Sequence, residues 1–202
     1  MVINQCSKGK RVEREIAQWL RENGYPSARR SQQFNGGEGL ADIVADEPAI
    51  KEWHIESKGT KLASLKRSQL LDWYDQVDRD CPENMNSVVI NQARGKPLVA
   101  LLPLQVWNRW WDFKRIVTAP NILIGGSYSL YDSLNYFHRK TIVANLIGDE
   151  KNALAIQVVF AEVESNEVPL NTKVFACMLA DDWIKQVTIL WALRNPSVAP
   201  VV

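Results

Sequence analysis

The sequence predicts an α/β protein with a small mixed sheet and helices packed on it. Three observations predict this. Apolar residues recur at helical spacing from about Lys10 to Asn23; two strand-like segments, Leu40–Ala45 and Trp53–Lys58, follow; and a second helical stretch then leads into a strand, turn and strand pattern.

The first helix is expected to open near Ser7, whose hydroxyl suits a cap, and to bury Val12, Ile16, Trp19 and Leu20. Asn23-Gly24 ends it, because Gly24 accepts the left-handed conformation that closes a helix. Ser31–Gly39, polar and glycine-bearing, reads as a surface loop. Leu40–Ala45 and Trp53–Lys58 are expected to pair as an antiparallel hairpin across Asp46–Glu52, where Pro48 breaks the strand pattern.

A second helix is expected from about Ala63 to Arg79, with Leu65, Trp73 and Val77 on one face and Cys81-Pro82 as its stop. Ser87–Ile90 and Pro97–Leu102 form the next two strands around a turn at Arg94-Gly95, and Trp107–Phe113 a short aromatic helix. Beyond Val117, strands are expected at Asn121–Gly125 and Ala153–Val163 and helices at Tyr131–Arg139 and Asp181–Arg194, with a frayed tail from Asn195. The domain reading is a core over residues 1–117 and a C-terminal extension, 118–202, packed on it.

Composition excludes several classes. No run approaches the ~18 apolar residues of a membrane span, and no apolar stretch follows the basic start, so a soluble cytoplasmic protein is expected. Cys6, Cys81 and Cys177 are an odd number, far apart, which argues against a disulfide framework and a zinc site. With only His54 and His138 as imidazoles, any metal should be a hard, oxygen-preferring one. Residues 1–117 hold 18 Lys and Arg against 15 Asp and Glu, whereas residues 118–202 hold 6 against 8, so the first part leans toward a polyanionic partner.

The chemistry-bearing pattern is Asp42 on the first hairpin strand and Glu56-Ser57-Lys58 on the next. Alternation puts Glu56 and Lys58 on one face of the strand, away from the buried face of Trp53, Ile55 and Ser57. If Asp42 lies opposite Glu56, two carboxylates converge and call for a counter-charge. Mg²⁺ meets that need with oxygens from Asp42, Glu56, the Ser57 carbonyl and water, Mn²⁺ being a substitute. Such a site suits phosphodiester hydrolysis, with Lys58 orienting water or neutralising the transition state. The plainer reading is three charged residues on a solvated strand.

Context around that pattern narrows it. Lys8-Gly9-Lys10-Arg11-Val12-Glu13-Arg14-Glu15, Gly24-Tyr25, Arg29-Arg30-Ser31, a Gly36-Gly37 loop, Ala41-Asp42-Ile43 and Ile55-Glu56-Ser57-Lys58 occur in this order. Over roughly residues 8 to 105 the chain thereby resembles archaeal-type Holliday-junction resolvases and related phage endonucleases of the PD-(D/E)xK superfamily. The resemblance implies a restriction-endonuclease-like core and a metal-dependent nuclease of DNA recombination and repair. It implies Glu13 as an auxiliary metal ligand and Arg14 and Arg30, with Ser31, on the DNA backbone. The Gly36-Gly37 loop would lie along the duplex, and Gln69 near the site. Ala41 departs from the pattern, standing where the superfamily commonly has proline.

The implied substrate is branched DNA, and two symmetric incisions imply a homodimer. A restriction- or repair-type nuclease on linear duplex, and a non-catalytic DNA-binding module of the same fold, remain open beside this. Glu13 and Arg30 also read as ordinary surface residues. The cluster of Trp107, Trp110 and Trp111 with Arg109, Lys114 and Arg115 reads as core packing, a dimer surface or a base-stacking platform. His54 and Gly125-Gly126-Ser127 are assigned no role.

Overall fold

The first helix, α1 (Gln5–Glu22), buries Val12, Ile16 and Leu20 as the periodicity requires, with Ala17 beside them. Trp19 is half-buried and donates from its ring nitrogen to Asp181 at 2.8 Å. The helix spans Gln5–Glu22, so Ser7, the expected opening, falls within its first turn, two residues past the start. Gly24 sits at φ 94°, a left-handed closure that a side chain would strain. In this computed structural model residues 5–31, 40–61, 64–111, 122–123, 127–129, 140–145, 153–163 and 173–197 are described.

Strands β1 (Arg29–Arg30), β2 (Ile43–Val44) and β3 (Trp53–Thr60) pair in order, with Ile43 opposite Ile55 in the antiparallel hairpin. A one-turn helix, α2 (Pro48–Lys51), fills the hairpin connection, Pro48 opening it where its missing N–H is not needed. Next come β4 (Ser64–Lys66) and α3 (Arg67–Asp80). The second helix thus begins later than expected: Leu65 is buried from a strand, paired with β8 (Ser127–Ser129), and not from a helical face.

Strands β5 (Asn86–Ala93) and β6 (Val99–Pro103) flank a turn at Gly95, φ 70°, and α4 (Leu104–Trp111) follows, starting three residues before the expected aromatic helix. Then come β7 (Ile122–Leu123), β9 (Lys140–Asn145), β10 (Ala153–Val163), β11 (Lys173–Leu179) and α5 (Ala180–Arg194). Asp181 and Asp182 lie in the first turn of α5, where negative charge complements the helix dipole. The expected helix at Tyr131–Arg139, the glycines at 125 and 126, and the chain end beyond 197 lie outside the described residues.

The main sheet runs β1-β2-β3-β5-β6-β11-β10-β7, with β9 also on β10. It is mixed, since β3 and β5 are parallel while β6 is antiparallel to both β5 and β11. Side-chain alternation sends Ile55, Val88, Ile90 and Met178 to the face covered by α1, α4 and α5, where Trp53 packs edge-on to Trp183 at 5.2 Å. Val89, Leu101, Phe175 and Cys177 go to the other face, under Leu70, Trp73, Tyr74 and Val77 of α3. No helix among the described residues is long and apolar enough to cross a membrane.

Candidate active site

The candidate site forms where the β2–β3 hairpin lies between α1 and α3. On β3, Ile55 is fully buried on the α1 side, so its neighbour Glu56 faces α3. The pairing with β5 sets Glu56 beside Val89 and Lys58 beside Asn91, whose amide donates to the Lys58 carbonyl at 2.9 Å. The expectation that Glu56 points into solvent is corrected here. It is 3% exposed, because α3 covers this face of β3.

Burial of a carboxylate demands partners, and Glu56 has three. His54, two residues back on the same face and itself buried, places Nε2 3.2 Å from Oε1. Gln76 of α3 donates from Nε2 to Oε2 at 3.1 Å, and the Lys58 ammonium lies 3.5 Å from that oxygen. Lys58 also donates to Gln76 Oε1 at 2.5 Å.

Asp42 directly precedes β2, and the backbone holds it in place: its N–H donates to the Ile55 carbonyl at 3.0 Å, and its carbonyl accepts from Ser31 at 2.8 Å. Its carboxylate reaches across the hairpin, where Oδ2 accepts from the Ser57 amide at 2.8 Å and the Ser57 hydroxyl at 2.9 Å. Burial and the nearby Glu56 charge push the Asp42 pKa up to about 6, against the lowering effect of the two Ser57 bonds; Glu13 adds a further upward push. Asp42, Glu56, Ser57 and Lys58 are therefore brought together.

Glu13 follows core-facing Val12 on α1 and forms an ion pair with Arg30 of β1 at the margin of this cluster. Arg14 is exposed on α1 beside Arg11 and Arg21. Gln69 lies in the first turn of α3, accepting from the Lys66 amide at 3.0 Å. Gly36 and Gly37 fall outside the described residues, as do the side chains of Trp110 and Trp111. Trp107 is in the core, and Arg109 ties α4 to the Met85 carbonyl and Asn86 at 2.8 and 3.0 Å.

Gln76 and His54 are the partners that sequence reasoning passed over. Gln76 carries a usable signal, since it follows Gln69 by seven residues and so shares its helical face. The later start of α3 sets Gln69 at the helix end and carries Gln76 over β3.

Among the described residues no three or more His, Cys, Asp and Glu side chains form a ready ligand set. Mg²⁺ asks for less, one or two carboxylates with water and phosphate oxygens. The charges present fit it. Glu13 is paired with Arg30 and Glu56 with Lys58, which leaves Asp42 without a cationic partner among the described residues, its pKa raised first by burial and then by the neighbouring Glu56 charge. A carboxylate offers about four lone-pair directions, and Glu56 has three partners.

Among solved structures the chain is similar to Hjc of Archaeoglobus fulgidus, a Holliday junction resolvase from an archaeal hyperthermophile. Identity is 19%, over 54% of this chain and 83% of that one, with a TM-score of 0.32. No family model and no curated protein matches the chain.

Proposed function

We propose that this protein is a Mg²⁺-dependent DNA endonuclease, with Mn²⁺ as substitute, that hydrolyses phosphodiesters of branched DNA as a homodimer. The observation that carries the reading is the juxtaposition of a buried acid titrating near pH 6, a second buried carboxylate and an ammonium group on one hairpin. Structural ion pairs are normally arranged to neutralise charge, whereas this cluster keeps an excess of it, the habit of functional sites. The ordered motifs from Glu13 to Lys58 supply the DNA specificity of the reading.

Asp42 and Glu56, with the Ser57 carbonyl, are the residues that would hold the ion, and Glu13 would assist. The ion supplies an acidified water and a Lewis acid at the phosphate. Ser57 fixes the Asp42 carboxylate through two hydrogen bonds, so one oxygen stays bound to β3 while the other is left to coordinate. Lys58 offers positive charge to the phosphate oxygens or orients the water that attacks. Arg14, Arg30, Ser31 and the loop through Gly36 and Gly37 would take the DNA backbone. Arg30 has donors enough to hold Glu13 and a phosphate together.

The test is incubation of purified protein with four-way, flap and linear duplex DNA and Mg²⁺. The four-way substrate should be cut in preference, and Glu56→Gln or Lys58→Ala should reduce cleavage by on the order of 100-fold or more with the fold retained. Equal cutting of linear duplex removes the junction claim. Binding of DNA without cleavage under either metal leaves a binding module in place of an enzyme.

A further inference from the structure

Gln76 is half-buried on α3, and its amide meets two residues of opposite charge at once. Nε2 donates to Glu56 Oε2 at 3.1 Å, while Oε1 accepts from Lys58 Nζ at 2.5 Å. The reverse orientation would set a carbonyl against a carboxylate and an NH₂ group against an ammonium, so the neighbours fix which way the amide points. Glutamine is suited to the place because a neutral amide serves an anion and a cation together; a carboxylate could serve only Lys58, an ammonium only Glu56.

The direct Glu56–Lys58 separation is 3.5 Å, longer than either bond through the amide. The pair is thus bridged more tightly than it is joined. His54 holds the other carboxylate oxygen, Oε1, from β3 itself. Glu56 is therefore tied at one oxygen by its own strand and at the other by a helix that packs over the sheet.

We propose that Gln76 is a positioning residue: it sets the Glu56 carboxylate and the Lys58 ammonium at a fixed mutual geometry and transmits the placement of α3 to both. This rests on the nuclease reading for its consequence, but the geometry it describes does not. Groups that orient metal-binding carboxylates without touching the metal typically matter by about 10- to 100-fold.

The experiment compares Gln76→Leu and Gln76→Glu with the wild type. Leu removes both bonds at similar size; Glu keeps the shape and the bond to Lys58 but turns an acceptor on Glu56. Turnover at saturating four-way DNA and Mg²⁺ should fall about 10- to 100-fold in both, with the KM for DNA within about two-fold and far-ultraviolet dichroism unchanged. A purely structural glutamine would lower the melting temperature and leave turnover per folded molecule unaltered, and that result overturns the proposal. So does a loss confined to KM.

Lys58 also reports independently of cleavage. In side-chain NMR of the metal-free protein its Nζ and Cε signals should move and its ammonium protons should exchange faster in Gln76→Leu. Unmoved signals in both variants overturn the proposal. If the wild type cuts no DNA, the nuclease reading falls while the Lys58 signals still decide whether Gln76 positions it. Should the leucine variant not fold, Gln76→Ala, which also removes both bonds, carries both measurements.

Discussion

Asp42 is an acid that the fold makes weaker, and the sign of its effect on stability follows. Its native pKa of about 6 exceeds the 3.8 of an unperturbed aspartate, so between these values the folded protein holds a proton that the unfolded chain has released. Stability from this group is therefore full below about pH 4, falls as pH rises through 6, and stays lower above. A difference of two units corresponds to about 3 kcal/mol, so Asp42→Asn, which keeps an oxygen for the Ser57 amide, should stabilise the metal-free protein by about 1–3 kcal/mol at pH 8 and scarcely at pH 4. Urea unfolding at the two pH values checks it; an equal or lower midpoint at pH 8 means that Asp42 carries no strain. In the wild type Mg²⁺ should raise the melting temperature at pH 8, and in Asp42→Asn it should not. Asp42 and the Glu56–Lys58 pair were legible in the sequence because strand alternation and local spacing place them. The burial of Glu56 and the role of Gln76 were not, because they depend on a helix that packs over β3 from later in the chain, and it is that burial which turns His54, a same-face neighbour by alternation, into a partner of the carboxylate.

Elements in this fold meet closely at one glycine. A Cβ built on Gly59 of β3 would lie 2.7 Å from Val12 Cγ2, and valine, branched at Cβ, has little rotamer freedom on a helix with which to retreat. Helix α1 therefore rests on β3 through a bare backbone position, which brings Glu13 alongside the strand that carries Glu56 and Lys58. Gly59→Ala should cost about 1–3 kcal/mol through overpacking, and the double variant with Val12→Ala should recover part of that loss, a coupling that denaturant titration of the four proteins resolves. Wild-type stability in the single variant would mean that α1 sits farther from β3. The α1 stripe was readable because Val12, Ile16 and Leu20 repeat at helical spacing and all become buried. The start of α3 was not, since Leu65 falls in phase with that helix yet belongs to β4. Strand β11 escaped notice for a related reason. Phe175, Ala176, Cys177 and Met178 are buried on both faces, and a short apolar run without alternation has no period to detect.

For the molecule as a whole the decisive question is how residues beyond 117 relate to the site-bearing part. The sequence suggests a core and an extension packed on it; in the structure β11 lies against β6 along five register pairs, Val99 to Pro103, and α5 packs on the same apolar cluster as α1. Tyr25, just past α1, hydrogen-bonds Thr188 of α5 at 2.6 Å, and Trp19 bonds Asp181. This long-range pairing was beyond the sequence because nothing in residues 99–103 names its partner some seventy positions later. Removing residues 118–202 takes Phe175, Met178, Trp183, Ile184 and Val187 out of the core. At about 2 kcal/mol for each buried side chain, the loss is on the order of 10 kcal/mol, comparable with the whole stability of a typical domain, about 5–15 kcal/mol. It also bares β6 as an apolar edge, a template for aggregation. Residues 1–117 alone should accordingly lose near-ultraviolet dichroism, bind a hydrophobic dye and melt without a cooperative transition, whereas the full chain melts cooperatively. A truncated protein that melts sharply and still cuts four-way DNA would instead make the C-terminal strands and helix an accessory to a self-sufficient nuclease core.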